Sequence, residues 1–160
     1  MARLIQLWNR LRGSYWFLPT VMSLAAAVCS FVLVAVDGAI GSAWVDAVPW
    51  VYRIQADGAR GVLSTVAGSM IGVAGVTFSI TIAALSYTTS TLGPRLLTNF
   101  MNDRGNQITL GTFVSTFVYC LLLLRVVQAG HESNAAFVPH LSLAFSVGMA
   151  VASLAVLIYF

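Results

Sequence analysis

Five hydroxyl side chains, Thr77, Ser79, Thr81, Ser86 and Thr88, crowd one uncharged stretch and form the densest set of groups here able to do chemistry. Hydroxyls bond water, ions and backbone carbonyls, and become nucleophiles only when activated, typically by an adjacent base. No His, Asp or Glu occurs between Asp57 and Asp103, so coordination or hydrogen bonding is in reach, but acid–base catalysis is not. At helical spacing Thr77, Thr81 and Thr88 share a face roughly opposite Ser79 and Ser86. Two polar faces at one depth exceed what a single close helix contact absorbs, which leaves one to line water or meet a partner subunit. A plainer reading stands beside it. Ser and Thr return their protons to the i−4 carbonyl, sit in lipid at little cost, and serve packing alone.

The same stretch carries a stripe of small residues. Gly61, Ser64, Gly68, Gly72, Gly75, Ser79, Ala83, Ser86 and Ser90 recur at steps of three or four and lie along one side of a helix. Gly68 and Gly72 make a literal GxxxG. Small residues let a second helix backbone approach closely in a membrane. The motif alone is weak, whereas a stripe this long is hard to obtain by chance.

Other candidates for chemistry fail or stay weak. His131-Glu132 matches the first two letters of HExxH, but position 135 is Ala135, so the zinc-hydrolase pattern is broken. His131, Glu132 and His140 read better as parts of a solvated connection than as a metal cluster. Cys29 and Cys120 lie inside apolar runs and read as small buried groups. No Ser-His-Asp order, phosphate-binding loop or dinucleotide fingerprint occurs, so the sequence predicts no catalytic residue, no metal, no cofactor and no enzyme. Arg125 is ionisable and near the end of an apolar run. Such a residue is a functional candidate, and two readings are open. Its long stem carries the charge to the interface, or it pairs with an acid such as Asp37 or Glu132. No carboxylate lies deep in any apolar run, which argues against a proton relay within this chain.

These groups need elements to position them, and the composition says what kind. Of 160 residues 59% are hydrophobic and 8% charged, against about 25% charged in a typical soluble domain. Lipid must cover much of such a surface. A spanning helix needs about 20 mostly apolar residues, and four stretches qualify: about 16–36, 62–91, 108–127 and 138–160. The expected fold is all-α and polytopic, with four transmembrane helices in one membrane domain. The first run is too long for a signal-peptide core, so it is read as an anchored helix. As one helix, the uncharged part of the second run spans roughly 48 Å; it must tilt, kink at its glycines or project beyond the bilayer.

All eight basic residues are Arg. They are spread out with no nucleic-acid module, so they read as topology determinants. Arg3, Arg10, Arg12, Arg95 and Arg104 fall on one side of the membrane, and Arg53, Arg60 and Arg125 on the other. Both termini are therefore expected in the cytoplasm. The N-terminal tail has Leu4, Leu7, Trp8 and Leu11 on one face, which suits an amphipathic helix on the inner leaflet as well as a plain positive flank. Trp44, Trp50 and Tyr52 mark the first outer connection as interfacial, with a break at Pro49. Asp57 is placed to cap the second helix. After the second span, Pro94 opens an amphipathic cytoplasmic elbow. Leu96, Leu97, Phe100 and Met101 lie on one side of it, Arg95, Asn99 and Asp103 on another, and Arg104 at its end.

Several motifs carry a family resemblance. Gly61-Val62-Leu63-Ser64-Thr65-Val66-Ala67-Gly68-Ser69-Met70, Phe78-Ser79-Ile80-Thr81, Gly93-Pro94-Arg95-Leu96-Leu97, Asp103-Arg104-Gly105-Asn106-Gln107 and Phe117-Val118-Tyr119-Cys120-Leu121 together resemble one bacterial family. It is the "predicted membrane protein" domain-of-unknown-function family, number twenty-two fifty-four. The resemblance covers essentially the whole chain. It implies a bacterial inner-membrane protein with four N-terminal spans and no established activity. It also implies a His-His sequence and a sizeable soluble C-terminal region beyond the fourth span, where this sequence ends at Leu157-Ile158-Tyr159-Phe160.

Two functions fit. The first is an oligomeric channel or pore-like transport module, with Thr77, Ser79, Thr81, Ser86 and Thr88 lining the pathway and the elbow coupling it to a cytoplasmic element. Four short-looped spans are too few to enclose a roomy path alone, so oligomerisation is required. The second is a membrane scaffold or assembly subunit, with Gly61, Ser64, Gly68, Gly72 and Gly75 as the docking seam for a partner's helix. The expected partners are the lipid bilayer and other membrane helices, of the same chain or another.

Overall fold

A computed structural model describes residues 16–40, 56–92, 104–127 and 138–159. They form four α-helices: α1 (Phe17–Ile40), α2 (Ala56–Leu92), α3 (Arg104–Val126) and α4 (His140–Tyr159). Each is long and apolar enough to span a membrane. No strand occurs among the described residues. The N-terminal tail, the aromatic outer connection with Trp44, Pro49, Trp50 and Tyr52, and the elbow residues Arg95, Asn99 and Asp103 lie outside the described residues, as do His131 and Glu132.

The helices run up and down. The end of α1 meets the start of α4 through Asp37 and Ser142, and the start of α2 meets the end of α3 through Arg60 and Val127. At the opposite end, Pro19 and Met22 of α1 lie against Gly111 of α3. The central helix is α3, which packs on all three others. Of its apolar span 44% is buried, against 17%, 17% and 22% for α1, α2 and α4. The three outer helices therefore present most of their apolar surface outward, with Leu24, Phe31, Ile80 and Val151 among the exposed side chains. Exposed apolar surface of this extent is stable only under lipid or a partner.

Two apolar clusters hold the helices together. The larger joins Ala26, Ala59, Leu63, Ala67, Tyr119, Cys120, Leu123 and Leu143. The smaller joins Met70, Ala74, Phe113 and Ala150. Alanines on α1, α2 and α4 let those helices approach the bulkier face of α3. Helices α1 and α3 approach closely at Gly111, where a Cβ would lie 2.5 Å from Met22 Sδ and 3.3 Å from Pro19 Cα.

The chain stays helical for 37 residues through α2, with no break at its glycines. At 1.5 Å per residue that is roughly 55 Å, well beyond a hydrocarbon core of about 30 Å. Its final turns therefore tilt or project. Asp57 lies in the first turn of α2, where its charge complements the helix dipole, and not ahead of the helix as a cap. Arg104 is the first residue of α3 and is exposed.

Candidate functional site

The face that α2 turns to the rest of the chain is Ala56, Ala59, Leu63, Ala67, Met70 and Ala74. The small-residue stripe lies opposite. Gly61, Ser64, Gly68, Gly72 and Gly75 are all exposed, and a Cβ built at any of these four glycines would meet nothing within 4 Å. The stripe therefore packs against none of the other described helices. Val76 and Ile80 flank it and are 61% and 64% exposed. Thr65 and Ser69 also face outward and donate to the carbonyls of Gly61 and Thr65, at 2.8 Å and 2.6 Å. Their hydroxyls are thus satisfied without water.

The hydroxyls further along α2 divide between two environments. Ser79 and Ser86 are exposed, Ser79 in line with the glycines. Thr77 and Thr81 are half-buried and turn toward α3, and Thr81 donates to the Thr77 carbonyl at 2.7 Å. Thr88 lies in α2, but its side chain is outside the described residues. Thr77 and Thr81 face a small pocket between α2 and α3, with Asn106, Thr109, Phe78 and Phe113. Asn106 is buried, and its side-chain nitrogen has no hydrogen-bond partner among the described residues.

At the other end of the bundle two charged residues cap helices that are not their own. Asp37, in the last turn of α1, is 5% exposed. Its Oδ1 accepts from the Leu141 backbone N–H at 3.1 Å, and its Oδ2 from that of Ser142 at 2.9 Å. The Ser142 hydroxyl donates to the same Oδ2 at 2.6 Å. The first turn of α4 has no acid of its own, and Pro139, which precedes it, has no polar side chain to cap it. The Asp37 carboxylate fills that role from a distant part of the sequence. Arg60, near the start of α2, donates through Nε to the Val127 carbonyl at the end of α3, at 3.1 Å. Negative charge on a helix N-terminus and positive charge on a C-terminus both follow the helix dipole. Arg125 is exposed, and no ion pair joins it to Asp37. Its other suggested partner, Glu132, is outside the described residues.

Buried hydroxyls join α3 to α4. The Tyr119 hydroxyl donates to the Ser142 carbonyl at 3.0 Å, and its ring meets that of Phe145 with centroids 5.4 Å apart. Thr116 and Ser153 lie 2.9 Å apart, oxygen to oxygen. Each is also within reach of a carbonyl on its own helix. Two protons serve three contacts, so two are made at a time.

These features define an α-helical membrane bundle with a polar-capped end and one unpacked glycine-rich helix face. The profile of the predicted membrane protein family (DUF2254) matches residues 12–160, and the chain belongs to that family. Uncharacterized proteins of Mycobacterium bovis and of two Mycobacterium tuberculosis strains are 33% identical to it over 150 residues, or 94% of this chain. The chain spans 28% of the length of each of these relatives. No solved structure matches it.

Proposed function

We propose that this chain is the membrane-embedded assembly module of a homo-oligomer, its copies docking through the outward face of α2. One observation carries the reading: the stripe from Gly61 to Gly75 is open along its length and packs against nothing among the described residues. A helix that needed only lipid contact would gain from larger apolar side chains there, whereas close backbone approach requires small ones. The arginine distribution supports an orientation with both termini cytoplasmic, and the family, with its mycobacterial relatives, supports a bacterial inner membrane. The chain acts through assembly, not as an enzyme.

A second reading adds conduction, and the exposed hydroxyls of Ser79 and Ser86 favour it. In an oligomer joined by α2, these groups lie at or beside the seam, where they can meet water or ions. Thr77 and Thr81 face α3 instead, so they line no central path between copies. Ion flux through the purified chain in liposomes separates the readings. Assembly without flux leaves a scaffold. Flux that Ser79→Val changes and Thr81→Val leaves alone makes the seam a pore. A monomer in lipid refutes both.

A further inference from the structure

The pocket between α2 and α3 holds the one buried side-chain donor without a partner among the described residues, the amide nitrogen of Asn106. Asn106 is 4% exposed and lines the pocket together with Thr77, Thr81, Thr109, Phe78 and Phe113. A buried donor left unpaired costs about 1–3 kcal/mol, so a ligand that accepts its hydrogen bond is favoured. The neighbouring hydroxyls narrow the choice. Thr81 and Thr109 donate to the carbonyls of Thr77 and Gly105 at 2.7 Å and 2.9 Å, so those protons and carbonyls are engaged. The Thr77 side chain also lines the pocket, and its hydroxyl can supply a second donor there.

The electrostatics point the same way. Asn106 is the third residue of α3, within reach of the positive end of that helix's dipole. Arg104 begins the same helix. No acidic residue is among the described residues that line the pocket. A cation would meet donors and a positive field. The space holds one small particle, a water or a monatomic ion, and the aromatic walls penalise larger, strongly hydrated ions such as phosphate.

We infer that this pocket is a binding site for a single halide ion, held by the Asn106 amide and the Thr77 hydroxyl at the start of α3. The site is independent of whether α2 forms a seam between copies.

The test is chloride NMR line broadening on the full chain purified in detergent, titrated against gluconate at constant ionic strength. The expected result is saturable broadening that bromide displaces. Asn106→Asp, which keeps the shape and replaces donors by a negative charge, should weaken it by about tenfold or more. Thr77→Val, on the opposite wall, should weaken it too and serves if Asn106→Asp does not fold. Thr81→Val, whose proton is already committed, should leave it within about twofold. Absence of saturable broadening in the wild-type chain would mean the pocket holds only water, and would overturn the proposal. So would broadening that survives unchanged in whichever of Asn106→Asp and Thr77→Val folds.

Discussion

The carboxylate of Asp37 receives both the backbone N–H and the hydroxyl of Ser142, at 2.9 Å and 2.6 Å, and so ties the end of α1 to the start of α4. It is a helix cap supplied by a different helix. Removing it leaves two N–H groups and a hydroxyl unpaired in a buried place. Asp37→Ala is expected to destabilise the bundle by about 1–3 kcal/mol. Asp37→Asn keeps one acceptor and should cost less. Unfolding in a mixed micelle with increasing SDS measures both.

Among the described helical glycines Gly111 makes the tightest contact, and Gly72 makes none with the described residues. Gly111→Leu should therefore destabilise the single chain by about 2 kcal/mol or more, as overpacking does. Gly111→Ala should cost less, since only the flexible Met22 tip must move far, and Met22→Ala should recover part of that cost. Gly72→Ala should leave single-chain stability within about 0.5 kcal/mol. The same SDS unfolding curves compare the four.

Thr116 and Ser153 share their protons with carbonyls of their own helices. Either hydroxyl can lose its partner and still bond its own backbone. Thr116→Val and Ser153→Ala should each cost about 0.6 kcal/mol or less, in line with interhelical hydrogen bonds in membranes. A double-mutant cycle between them should give a coupling of similar size. A coupling of several kcal/mol would mean the pair is more isolated than the geometry says.

Four spans are legible in the sequence because bilayer thickness demands long apolar runs. Their ends are less legible, for a physical reason. Hydropathy takes a charge as the end of a span, so Asp37 closed the first run near position 36 and Arg60 delayed the second to position 62. In the structure α1 continues to Ile40 and α2 begins at Ala56, because each charge finds a helix terminus to cap. Such caps join residues far apart in sequence and leave no local pattern. The glycine stripe was legible as a face, but only the packing of α2 on α3 says that it points away from its own chain. Gly111 is not legible in the sequence, because a lone glycine in an apolar run carries no periodicity. Asn106 reads as an ordinary polar residue at a helix start until its burial is known.

The central claim is that the outward face of α2 is the seam between copies. Cysteine cross-linking in native membranes tests it most directly, in a chain with Cys29 and Cys120 replaced by Ala. Gly72→Cys and Gly68→Cys should give an oxidised dimer of this chain. Leu24→Cys on the lipid face of α1 and Ala67→Cys on the buried face of α2 should not. Dimer at Gly72→Cys that Gly75→Leu abolishes is the predicted result. No dimer at Gly68→Cys or Gly72→Cys, or equal dimer at Leu24→Cys, would contradict the account.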